Sequence, residues 1–201
     1  MRISTLVLSA FALTLAAQAA PAVACDGKAE VEAAFVKQQK QPWRTEVLTK
    51  SQDGTEQHQR FDFQPPDKMY RKATVGNESI ETIGISKWAW SNLGSGAGWE
   101  ELQPMHARVV TLQLQEAFTP PRVTAEFNCL GTVTFEGKSY RAYQTTPEKV
   151  DTGQVLARTI YVDPETGLPA FNIVGAPDGT GDLVVKGAFS YPTDIDIKSP
   201  F

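Results

Sequence analysis

The sequence predicts a mainly β fold of the α+β class, an incomplete antiparallel β-barrel with two helices packed into its mouth. Stretches of alternating apolar and polar residues recur along the chain, and turn signals such as Asp53-Gly54 and Gly137-Lys138 separate them. Their number indicates a sheet of about eight to eleven strands, which would have to be strongly curved to form a half-open barrel. Only an N-terminal and a mid-chain stretch have helical spacing, so a half-open barrel with these helices in its mouth is the economical arrangement.

The N-terminus resembles an export signal. Arg2 is followed by an apolar run from Leu6 to Ala17 and then by the small residues Ala22-Val23-Ala24, which suit a cleavage site. The run is short for a membrane span. We therefore expect residues 1–24 to be a signal peptide and residues 25–201 to be a single periplasmic domain that begins at Cys25. Ala19 is an alternative, earlier cleavage site.

The chain has two cysteines, Cys25 and Cys129. In an exported protein such a pair predicts a disulfide, which would close a loop of about 100 residues. The alternative is a lipid anchor on Cys25. Ala22 stands where a lipidation signal usually has leucine, so the pattern favours the disulfide.

The elements follow in order from local signals. Asp26 is a good N-cap for a helix whose apolar positions include Val31 and Ala34, and Pro42 ends that helix. "WRTEVLTK" and "EQHQRFDFQ" then form a hairpin around Asp53-Gly54.

Two further strands, "KMYRKATV" and "ESIETIGISKWAWSN", lead to a glycine-rich loop at 92–98. The next stretch predicts the mid-chain helix, because Leu102, Met105, Val109 and Leu112 recur with helical spacing behind Glu100-Glu101. Apolar and polar residues also alternate in part of this stretch, so a strand is the alternative prediction. Strands continue from there to "DIDIKSP" at 194–200.

The sequence offers no catalytic motif. His58 and His106 are the only histidines and lack metal-ligand spacing, and no nucleophile elbow, phosphate loop or dinucleotide fingerprint occurs. Asp194 and Asp196 alternate with isoleucines, which favours a solvated outer face over an acid–base pair. The formal net charge is −4 without any basic tract, which disfavours nucleic acid as a partner. We expect a non-enzymatic protein with no metal or cofactor.

Two blocks resemble the LolA/LolB/LppX-like family of periplasmic lipoprotein carriers. They are "FQPPDKMYRKATVGNESIETIGISKWAWSN" and the late hairpin "RTIYVDPETGLPAFNIV" with its ending "SYPTDIDIKSP". The resemblance implies an open barrel with a helical lid over an apolar cavity, and carriage of acyl chains or lipoprotein anchors without catalysis. Gln64 replaces the arginine that commonly precedes the proline in carriers, so lipoprotein transport and more general lipid binding both stay open.

The resemblance implies a ligand-binding surface on the inward faces of the strands and on the lid. A carrier has to bury an acyl chain, since exposure costs about 0.8 kcal/mol per methylene. Ordinary core packing would explain the same residues. The candidate wall residues are Phe61, Phe63, Met69, Ile83, Trp88 and Trp90, and the candidate lid residues are Met105, Val109 and Leu112.

The expected partner is a hydrophobic small molecule or lipid, or an envelope lipoprotein or membrane partner, and we expect a monomer. Two other functions remain open. One is a non-catalytic envelope interaction or scaffold module with a filled barrel. The other is a small β-barrel hydrolase, which would need polar residues that converge inside the cavity.

Overall fold

The computed structural model describes residues 25–51, 53–76, 78–181 and 183–201. The predicted signal peptide at 1–24 lies outside these residues. In the described part of the chain two helices and twelve strands form. They are α1 (Gly27–Gln38), β1 (Trp43–Lys50), β2 (Glu56–Gln64), β3 (Lys68–Val75), β4 (Glu78–Ile85), β5 (Trp88–Asn92), β6 (Glu100–Glu101), α2 (Pro104–Phe118), β7 (Phe127–Phe135), β8 (Lys138–Thr145), β9 (Glu148–Lys149), β10 (Val155–Val162), β11 (Pro169–Gly175) and β12 (Val185–Ser190).

The strands form one antiparallel sheet in the order β6-β5-β4-β3-β2-β1-β12-β11-β10-β8-β7, with β9 beside β10. The β1–β12 pairing joins the early and late strands at the centre of the sheet. The sheet stays open, since β6 and β7 form its two edges. This confirms the predicted fold class of an incomplete barrel with helices; the strand count exceeds the expected range because β6 and β9 are two-residue strands.

The register divides the sheet into two faces. Directly paired residues share a face, and one row of such pairs runs through Trp43, Phe63, Met69, Gly84 and Ala89. Both helices pack on this side, which we call the helix face. Each residue next to this row along its strand points to the opposite side, which we call the outer face.

α1 begins where the sequence predicts. The Oδ1 atom of Asp26 accepts a hydrogen bond from the backbone N–H of Ala29 at 3.0 Å, which caps the helix. Gly27 permits a close approach to β7, because a Cβ at that position would collide with the carbonyl oxygen of Phe127. Val31 and Ala34 then pack on the helix face of β8 and β10.

The predicted disulfide between Cys25 and Cys129 is confirmed, with the two Cα atoms 6.3 Å apart. It fastens the chain just before α1 to the edge strand β7. Because the bond occupies the sulfur of Cys25, that atom does not carry a lipid.

α2 begins later than expected, at Pro104 rather than near Glu100, because Glu100–Glu101 pairs with β5 as strand β6. Proline suits the first helical turn, where its missing N–H costs nothing. Val110 and Leu114 pack against Gly84 of β4, whose hydrogen side chain leaves room for them. α2 therefore packs on the sheet through a different set of apolar residues from the predicted one.

The C-terminal segment, residues 191–201, crosses the outer face, and we call it the strap. It is not the strand that the alternation predicted. Ile195 and Ile197 are buried against Ile83 and Trp90. The strap is fixed at Ile197, whose N–H donates to the Oε1 atom of Gln64 at 2.8 Å and whose carbonyl accepts from the Nζ atom of Lys68 at 3.1 Å.

We expect Ile197→Ala to lower the free energy of unfolding by about 2 kcal/mol, because it removes buried methyl groups and leaves a gap over the outer face. Thr193→Ala, at an exposed position of the strap, is the matched control and should stay within about 0.5 kcal/mol of the wild type. Urea unfolding of the three proteins measures both values. Equal midpoints for all three would show that the strap adds no stability.

Candidate functional site

The nine residues predicted to bind a ligand do not form one wall. Phe61, Phe63 and Met69 lie on the helix face, whereas Ile83, Trp88 and Trp90 lie on the outer face. The alternation of apolar and polar residues predicted an inward position for both sets. The outer face is also apolar where the strap covers it, so alternation alone does not distinguish the two faces.

The two tryptophans of β5 have different surroundings. Trp90 is buried under the strap with 8% of its surface exposed, whereas Trp88 is 49% exposed. The Nζ atom of Lys87 lies 5.5 Å from the centroid of the Trp88 ring. The pair is therefore divided between a packed cluster and the protein surface.

The predicted lid residues lie on the solvent side of α2. Met105, Val109 and Leu112 are 78%, 64% and 48% exposed, respectively. They form an exposed apolar stripe on the side of the helix opposite Val110 and Leu114.

Phe63 and Met69 belong to a packed cluster on the helix face. The Phe63 ring stacks on Trp43 at 4.6 Å and meets Phe118 of α2 edge-on at 6.2 Å. Met69 is fully buried. Phe61, the neighbour of Phe63 on this face, is only half-buried and lies under the guanidinium of Arg71 at 5.6 Å.

A concave site of ligand size lies beside the other helix. We call it the α1 cleft: it has a volume of about 580 Å³ between α1, the segment 121–127 and strands β8, β10 and β11. This volume is in the range of small-molecule sites. Its larger apolar side chains are those of Val31, Phe35, Val123, Phe127, Val150, Leu156, Ile160 and Val174.

The floor of the α1 cleft comes from two neighbouring strands. Ile160 of β10 pairs with Asn172 of β11, and Arg158 pairs with Val174, so these four side chains share the helix face as a square. Two apolar and two polar groups therefore alternate on the floor.

The polar groups of the floor lack partners. The Oδ1 atom of Asn172 is buried and has no hydrogen-bond partner in the described part of the chain. The side chain of Arg158 forms no ion pair among the described residues; its backbone N–H donates to the Oγ1 atom of Thr145 at 3.0 Å. A buried amide oxygen without a partner is costly, which marks this floor as a place for a further polar group.

Sequence reasoning missed the α1 cleft, although part of its signal was present. Val31 and Phe35 lie on the predicted helix, and Ile160 follows the strand alternation. What the sequence does not show is that segment 121–127 returns over the ends of the late strands to close one side of the cleft.

The structure gives no support for a metal site. The residues that it describes contain no group of three or more His, Cys, Asp or Glu side chains able to hold a metal ion. Within the same residues, the ion contact of His58 is with Glu56, at 3.8 Å, on the surface. Asp194 and Asp196 are exposed while the isoleucines that alternate with them are buried, which confirms the solvated-face interpretation.

Neither helix in the described residues is both long and apolar enough to cross a bilayer.

No protein-family model and no curated protein matches the chain. Several solved structures are similar. Three of them are the MucA/MucB complex of Pseudomonas aeruginosa (12% identity, 85% of this chain and 59% of that chain, TM-score 0.46), a protein described as an outer membrane lipoprotein-sorting domain from Vibrio parahaemolyticus (8%, 81% and 92%, 0.29) and a DUF1329 family protein from Desulfovibrio piger (11%, 86% and 96%, 0.30).

The neighbours thus include a protein of the lipoprotein-sorting kind that the sequence resembles. The chain spans 59% of the length of the matched chain in the MucA/MucB structure. With identities of 8% to 12% these likenesses concern the fold alone, and we base no functional argument on them.

Proposed function

We propose that this protein is an exported, non-catalytic binder or carrier of a hydrophobic ligand, such as a lipid, an acyl chain or a lipoprotein anchor. The observation that carries the proposal is the α1 cleft, an open site of ligand size with apolar walls. Burying a chain of about 16 carbons there would remove a cost of about 10 kcal/mol or more in water, while the open mouth permits release.

We further propose that residues 1–24 direct export to the periplasm and that residues 25–201 act as one domain. The disulfide supports this localisation, because such bonds persist mainly in oxidising compartments. The apolar run and small residues before Cys25 support it independently.

Of the residues predicted from the sequence, Phe61 and Phe63 lie on the same sheet face as the floor of the cleft. The link runs through a row of paired residues from Ile160 and Asn172 across Gly187 and Val47 to Gln59, which lies two residues before Phe61 on β2. We propose that a long ligand extends along this face toward Phe61.

Narrowing the cleft is the direct test. We expect Val174→Trp to lower the fraction of protein that carries a co-purifying ligand by about tenfold, because the indole fills space on the floor. Native mass spectrometry and lipid extraction of protein from a periplasmic extract measure this fraction. Val155→Trp, an exposed position on the adjacent strand, is the control and should leave it unchanged.

The proposal fails if the wild-type protein carries no ligand and binds neither hexadecanol nor hexadecanoate when these are supplied.

The exposed apolar stripe on α2 favours a second candidate, an envelope interaction module. A photo-reactive amino acid at Val109 would then cross-link to one envelope protein in intact cells, whereas the same group at exposed Val155 would not. Absence of an adduct at Val109 would remove this candidate.

A further inference from the structure

The lining of the α1 cleft contains both apolar and positively charged residues. Val31 and Phe35 of α1 are among its apolar residues, and Arg122 and Arg158 also belong to its lining. Among the described residues that line the cleft, Glu148 is the single carboxylate, so the lining carries a net positive charge.

Both arginines lack the carboxylate partners that three other described arginines have, whereas Arg71 and Arg108 also form no ion pair in the described part of the chain. Arg44 and Arg60 both bind Asp62, and Arg141 pairs with Glu30 at 3.1 Å. Within the described residues Arg122 and Arg158 make no ion pair. Because guanidinium groups bind carboxylates and phosphates in a bidentate manner, two unpaired ones beside an apolar site suit an anionic group.

Asn172 has both a charged and an apolar neighbour on the floor of the cleft. It is the diagonal neighbour of Arg158 on the floor, at a typical spacing of about 7–8 Å, and it pairs directly with Ile160. Its buried Oδ1 atom has no partner among the described residues. An amide N–H or a hydroxyl group next to a charged headgroup would lie at this level and donate a hydrogen bond to this oxygen.

We infer that the ligand of the α1 cleft is an anionic amphiphile, whose carboxylate or phosphate binds Arg122 and Arg158 and whose chain lies against Val31, Phe35 and Ile160. The inference rests on the proposed function and adds to it the class of headgroup. A neutral lipid with the same chain leaves both guanidinium groups unpaired and binds more weakly.

Three radiolabelled probes with the same chain separate the possibilities: hexadecanoate, hexadecyl phosphate and hexadecanol, each below its critical micelle concentration. We expect the two anions to bind the full-length mature protein at least about tenfold more tightly than hexadecanol, with a difference that shrinks at high salt. A preference between the two anions assigns the headgroup to the carboxylate or the phosphate class.

The matched variant is Arg122→Gln with Arg158→Gln, which we expect to lower anion affinity to the level of hexadecanol while hexadecanol affinity stays constant. Arg108→Gln, an arginine on α2 outside the cleft, is the control for loss of charge and should retain the preference. Far-UV circular dichroism checks that each variant is folded.

Equal binding of all three probes by the wild type, or an anion preference that survives in the double variant, would overturn the inference but not the proposed function. Failure of every probe to bind, in a wild-type protein that also carries no co-purifying ligand, would overturn both.

Discussion

Removing the disulfide between Cys25 and Cys129 is expected to lower the free energy of unfolding by about 4 kcal/mol. The bond joins residues 104 positions apart, so the cross-linked unfolded chain loses much of its conformational freedom. It also holds the start of α1 against β7, where Gly27 lies in close contact with Phe127. The measurement is urea unfolding of a Cys25→Ala, Cys129→Ala variant beside the wild type.

Reductant provides the control for this prediction. It should lower the stability of the wild type to nearly that of the double variant and leave the double variant unchanged. A difference of less than about 1 kcal/mol between oxidised wild type and variant would show that contacts of α1, rather than the cross-link, fix the N-terminus.

The local elements of this fold are predictable from the sequence because their causes are local. The Asp26 cap and the Asp53-Gly54 turn each depend on a few neighbouring residues. The disulfide was predictable because an exported chain with two cysteines can form only one intramolecular pair.

The choice of faces is less predictable because it depends on distant partners. α2 has apolar residues on two sides, and the sheet selects Val110 and Leu114 because Gly84 offers space to that stripe. In the same way, Trp88 and Trp90 alternate as inward residues would, and only the strap reveals that their side of the sheet is the outer one.

The charged residues of the α1 cleft were missed for a related reason. Alternation marks Arg158 and Asn172 as exceptions within apolar strands rather than as members of a site. Their relation becomes visible only when the β10–β11 register places them diagonally on one face. Sequence patterns therefore predicted a cover of helices and an apolar face, but not where polar groups meet within it.

A second large effect is expected at Asp62 on the outer face. Its side chain is 8% exposed and lies between two guanidinium groups, with the Nε atom of Arg44 at 2.6 Å and the Nη2 atom of Arg60 at 2.5 Å. Each arginine also makes a second hydrogen bond to the carboxylate, at 3.1 Å. The two bidentate contacts satisfy the buried charge, and the one from Arg44 joins β1 to β2.

We expect Asp62→Asn to lower the free energy of unfolding by about 3 kcal/mol, because it leaves two guanidinium groups without their common counter-charge. Asp194→Asn, an exposed carboxylate near the same arginines, should change stability by less than about 0.5 kcal/mol. Adding Arg60→Gln to the Asp62→Asn variant removes one of the two uncompensated positive charges and should recover part of the lost free energy of unfolding. A loss at Asp194 as large as that at Asp62 would show that general charge balance, not the buried contact, is responsible.

The pH dependence distinguishes a charge effect from a packing effect at Asp62. Burial alone would raise the pKa of this carboxyl, but the hydrogen bonds from Arg44 and Arg60 hold the pKa below its ordinary value. Since the folded pKa lies below that of the unfolded chain, the ionised group stabilises the protein above about pH 4 and loses this contribution as the pH falls through the folded value. The stability difference between wild type and the Asp62→Asn variant should therefore be constant from about pH 7 to about pH 5 and should shrink toward about pH 2. A difference that stays constant over the whole range would mean that the Asp62→Asn substitution disturbs packing, because the charge of the wild-type carboxylate would then contribute nothing.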